Sequence, residues 1–130
     1  MKFMLMMNAP GRVPYQILSW PKSALEAHMT FMKNVNARLQ TNGEYVTGEG
    51  LTGPDKAKLV KADAEGRPVT DGVFAESKEF LAGYWIVEVD RPERAYALAA
   101  QASAAPGPDG TPMNLSIEVR QVMSAPNVDG

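Results

Sequence analysis

The stretch YWIVEV at residues 84–89 runs directly into DRPERAYALAAQA at residues 90–102, and the reading of this joint decides the fold. Six residues rich in β-branched and aromatic side chains make a strand. Trp85, Val87 and Val89 share one of its faces and Tyr84 and Ile86 the other, so both surfaces carry large apolar groups. The apolar period then lengthens. Ala95, Leu98, Ala99 and Ala102 form the stripe of a helix, and three alanines in it permit a close approach to a sheet. Asp90, with Glu93 three residues later, is expected to cap that helix.

Working outward, the chain opens with KFMLMM at residues 2–7, an uninterrupted apolar run of the kind a central strand shows when both its faces are covered. Residues 8–20, with Pro10, Gly11 and Pro14, read as a loop. A helix follows, started by Ser23 and Glu26 at capping-box spacing or by Pro21 in the first turn, and stopped by Gly43. Leu25, His28, Met32, Val35 and Leu39 are its apolar stripe, with Glu26, Lys33, Arg38 and Gln40 largely off it. Residues 44–51 make the next strand, in which Gly48 and Gly50 mark a bulge or a close backbone approach. Residues 57–62 and 67–70 read as a hairpin about a turn at 63–66. Residues 71–83 are polar and glycine-bounded, with one helical turn expected around 77–81. After a Pro/Gly loop at 104–112, residues 115–122 form the last strand, with Leu115, Ile117 and Val119 on one face and Glu118 and Arg120 on the other.

With the hairpin set aside, the order is βαββαβ, the ferredoxin-like split motif of an α+β protein. Its first and third strands lie centrally, and those are the two most apolar runs here. Both helices then cover one face of the sheet, and the other face needs a cover of its own. A second subunit supplies it most simply, giving a homodimer whose two sheets close into an α+β barrel. A monomer is the alternative if the hairpin folds across that face.

A chain of 130 residues, 45% hydrophobic and 22% charged, is enough for one domain, expected over residues 1–123 with a flexible tail at 124–130. The absence of cysteine excludes disulfides, thiolate metal sites and cysteine nucleophiles, and suits the cytoplasm. A net charge of -2 with scattered basic residues lacks the electrostatic footprint of nucleic-acid binding. The short apolar run at the start is cut off by Asn8, Pro10, Gly11 and Arg12, too early for a secretory leader, and nothing approaches the roughly 18 apolar residues of a membrane span. No nucleic-acid or membrane partner is expected.

The stretch DGVFAESKEFLAGYW at residues 71–85 resembles the signature of the DGPF branch of the YCII-related proteins. KFMLMM at 2–7, AHMTF at 27–31, GEGL at 48–51 and SIEVRQVM at 116–123 are similar to that family in order and spacing, so the resemblance covers nearly the whole chain. Val73 stands where the name-giving motif has proline, which removes a fixed backbone angle from the loop. The resemblance implies a dimeric α+β barrel of ferredoxin-like subunits. It implies little about chemistry, because a fold alone does not carry a function.

His28, the chain's single histidine, sits on the core-facing stripe of its helix. It is either a general acid or base or a packed ring tied to a carbonyl or carboxylate. Asp71, before Gly72, is either the carboxylate that orients the imidazole or half of an Asp-Gly turn. The resemblance brings the two roles of His28 level and narrows the lead of the turn for Asp71, since a histidine and an aspartate mark the wider group's candidate enzymes. Glu49 and Glu118 either point between subunits or are solvated, and Glu76 and Lys78 read first as a charged loop. Arg12 and Tyr15 lie in the first loop, where they would contact an anion or an aromatic group under a lid. One histidine and no cysteine make a metal site poorly founded. No nucleotide-binding loop is present, and the eight methionines read as core filler rather than haem or copper ligands. The first expectation is therefore a cofactor-independent enzyme acting on a polar small molecule through His28 and Asp71. The alternative is a non-catalytic ligand-binding or accessory protein linked to transcription regulation, in which His28 only holds the core.

Overall fold

A computed structural model describes residues 1–10, 19–72 and 79–123. In chain order its elements are β1 (Lys2–Pro10), α1 (Lys22–Thr41), β2 (Tyr45–Gly50), β3 (Lys58–Ala62), β4 (Pro68–Gly72), β5 (Glu79–Glu88), α2 (Pro92–Ser103) and β6 (Ile117–Gln121). Four strands form an antiparallel sheet in the order β2-β5-β1-β6, while β3 and β4 pair as a separate hairpin. The two strands richest in apolar residues thus occupy the centre, as their sequences require, and the α+β order is the expected one.

Register explains the core. Phe3 pairs with Val87, and Leu5 with Trp85 on one side and Val119 on the other, so these side chains rise from the same face. Val35 and Leu39 of α1 and Ala95, Leu98, Ala99 and Ala102 of α2 pack onto that face. Leu5 and Val87 are fully buried, each contributing about 1.5–3 kcal/mol by the usual transfer scale. On the reverse face Met4 and Met6 pair with Ile86 and Tyr84, flanked by Arg120 and Glu118. These four apolar side chains are half-buried, and no described helix lies over them.

Several local expectations need correction. β1 continues to Pro10 through a register shift between Met7 and Asn8, where a loop was expected from residue 8. Residues 79–81, expected in a helical turn, already belong to β5, because pairing with residues 8–10 of β1 satisfies their backbone. Neither helix has a side-chain cap. α1 starts at Pro21, whose carbonyl accepts the first helical bond from the Leu25 N–H at 3.0 Å, so Ser23 lies inside the first turn. α2 starts from Arg91 with Pro92 at its first position, where a fixed φ and a missing N–H cost nothing, and Asp90 falls outside the helix. Gly43 does end α1, in the left-handed region at φ +71°. The expected tail at 124–130 lies outside the described residues.

Candidate functional site: an imidazole pocket between the first helix and the sheet edge

On α1, residues 28, 32 and 36 recur every four positions and so stack in a column, with 29 and 33 beside it. That column faces the ends of β2 and β5. Between them lies a pocket of about 360 Å³, lined from the helix by His28, Met32, Lys33 and Asn36 and from the strands by residues 48–51 and 82–85. Met7, Met29 and Leu51 make much of the remaining wall apolar.

His28 is 4% exposed. Its Nδ1 lies 3.0 Å from the carbonyl oxygen of Pro106, on the loop after α2. A carbonyl only accepts, so Nδ1 carries the hydrogen and donates, which leaves Nε2 as the nitrogen able to exchange a proton. Among the described residues Nε2 has no hydrogen-bonding partner, and His28 is one of the residues that line the pocket. Trp20 packs edge-on to the imidazole, with ring centroids 5.4 Å apart at 84°, and fixes its plane.

A second polar anchor sits deeper. The Trp85 indole N–H donates to Asn36 Oδ1 at 2.8 Å, which commits the amide oxygen and leaves the amide NH2 as the donor of that side chain. Gly48 is required here: a Cβ at this position would stand 2.7 Å from Trp85 Cδ1. The close backbone approach expected of Gly48 is therefore real, whereas Gly50 has nothing within 4 Å of its would-be Cβ. The bulge falls earlier in β2, between Tyr45 and Thr47. Lys33 and Glu49, one cation and one anion, stand exposed at the pocket.

Away from the pocket, Arg94 donates to both carboxylate oxygens of Glu44, at 2.7 and 2.8 Å, tying α2 to the start of β2. These hydrogen bonds hold the Glu44 carboxyl below its ordinary range and push the guanidinium of Arg94 up. The pair belongs to the fold rather than to the site.

The structure brings together only some of the residues singled out from sequence. His28 and Glu49 line the same pocket. Asp71 lies on the exposed β4, where its carboxylate accepts the Gly72 N–H at 2.8 Å, and it is not among the residues lining the His28 pocket. The bond that orients the imidazole comes from Pro106. Glu118 is exposed on β6, with Arg120 at 3.9 Å. Arg12, Tyr15, Glu76 and Lys78, like Val73, lie outside the described residues. Asn36 and Lys33 were not singled out as site residues, although Asn36 lies four beyond Met32 and Lys33 four beyond Met29, the spacing that keeps each on the same side of the helix as a pocket methionine. Among the described residues no three His, Cys, Asp or Glu side chains gather as a metal site would require, and no helix is long and apolar enough to cross a membrane.

The profile of the YCII-related domain matches residues 1–109. The chain belongs to the YCII-related domain family. This match takes in β1 through α2, and with them every element that builds the pocket, including the Pro106 carbonyl that orients His28. No curated protein matches this YCII-related chain.

Proposed function

We propose that this YCII-related protein is a cofactor-independent enzyme of the DGPF branch that moves a proton on a small polar molecule, with His28 as its acid–base group. The observation that carries the reading is the oriented imidazole: Nδ1 pinned to the Pro106 carbonyl, on a buried ring that lines a largely apolar pocket. Nε2 takes a proton from the substrate's C–H or O–H. The Nδ1–H bond to the carbonyl strengthens as the ring becomes cationic, which favours the transfer. The Asn36 amide NH2 and the Lys33 ammonium are the donors placed to meet negative charge developing on the substrate. The proton then returns from Nε2 to another substrate atom. The orienting role first expected of Asp71 passes in this reading to Pro106.

The subunit is read as ferredoxin-like, and the bare sheet face bearing Met4, Met6, Tyr84 and Ile86 as the surface on which two copies close a dimeric α+β barrel. Half-buried apolar side chains ringed by Glu118 and Arg120 support that pairing.

Deuterium exchange into a panel of enolisable ketones and keto acids, followed by NMR, tests the chemistry. Wild type should exchange at least one member about 100-fold faster than His28→Gln, the usual size of a general acid–base contribution. Equal rates across the panel, with the variant folded, would overturn the enzyme reading. Retained binding of a panel member without exchange would make the protein a ligand-binding module.

A further inference from the structure

Every residue of β3 and β4 is exposed, and Leu59, Val60 and Val69 are 50, 59 and 53% exposed respectively. A two-stranded hairpin with no cover is marginal in water, so this one is built to lie on something. Among the described residues of its own chain, none provides the cover. Direct pairing of Leu59 with Asp71 and of Lys61 with Val69 puts these four side chains on one face. That face therefore presents two apolar groups, one cation and one anion.

The His28 pocket has a rim of the complementary kind. Met29 and Leu51 are 52 and 40% exposed, large apolar side chains left in water, and Lys33 and Glu49 lie beside them. Leu59 and Val69 match the apolar pair, Lys61 the carboxylate of Glu49, and Asp71 the ammonium of Lys33. We infer that the β3–β4 hairpin is an arm that docks on a second copy of this chain and closes that copy's His28 pocket. The pocket is then complete only in the dimer, and Asp71 enters the site from the neighbouring subunit. The inference takes the His28 pocket as the functional site, as proposed above, but its test does not depend on turnover.

The cysteine-free sequence makes the test clean. Chains carrying Met29→Cys and chains carrying Val69→Cys, differently tagged, are mixed and oxidised, and Leu51→Cys with Leu59→Cys is treated likewise. At least one mixture should give a disulfide joining two different chains, since a bridge forms only between neighbouring backbones. No mixed disulfide from either pair would overturn the inference. So would a bridge formed within a single chain when both cysteines are placed in one molecule. Lys61→Glu should weaken dimerisation at least tenfold in sedimentation experiments, and adding Glu49→Lys should restore it; loss without rescue would count against the match. A crosslinked dimer with no exchange activity would spare this inference and sink the enzymatic one.

Discussion

β4 and β5 are successive strands of one chain, and both carry β-branched apolar side chains, yet their fates differ. In β5, Trp85 and Val87 are buried under α1 and α2. In β4, Val69 stays in water. The difference lies in what packs on each: β5 leads into a helix whose alanines settle on the sheet, whereas no described helix covers β4, every residue of which is exposed. The described residues thus cover the sheet on one side and leave the hairpin open. Stability is concentrated in the first region, and the second is free for association.

Three substitutions sharpen the contrast. Leu5→Ala, in the fully buried centre, should cost about 2–5 kcal/mol in urea unfolding, because the rigid packing between sheet and helices cannot collapse on the cavity. A loss under 1 kcal/mol would mean that this core is loose. Glu44→Gln, at the margin of the body, should cost about 1 kcal/mol at pH 7 by replacing a charge-assisted pair with a neutral one. Because Arg94 holds the folded-state pKa of Glu44 low, the pair's contribution is full above the ordinary glutamate range and fades as pH falls through the lowered value. The gap between wild type and variant should therefore close on acidification below about pH 4. A gap independent of pH would show that the carboxylate's charge is irrelevant. Val60→Thr, on the hairpin face that takes no part in the proposed docking, should shift stability by less than about 0.5 kcal/mol. A larger loss would mean that both faces of the hairpin are covered.

Much of this fold was legible because its signals are local. The unbroken apolar runs placed β1 and β5 at the centre, and the 95, 98, 99 and 102 stripe fixed the buried face of α2. Of the two starts open for α1, the one near Pro21 holds, with the proline just before the first turn rather than in it, while Asp90 only looked like a cap for α2, where Pro92, already holding a helical φ, takes the first position. Residues 79–81 read as the end of a helical turn within a glycine-bounded segment, but a partner strand far away in sequence claimed them. His28 was visible as an ionisable group on a core-facing stripe. Its partner was not, for a carbonyl 78 residues away carries no signature in its side chain. The Asn36–Trp85 bond, across 49 residues, was hidden for the same reason.

The chain contains two tryptophans, and both belong to the site: Trp20 meets the imidazole edge-on, and Trp85 lines the pocket and holds Asn36. Indole emission responds to the polarity and quenching groups around it, so light absorbed by indole alone, at the red edge where the four tyrosines do not absorb, returns from the place where a ligand would arrive. An occupant of the pocket would then announce itself optically, with no label attached.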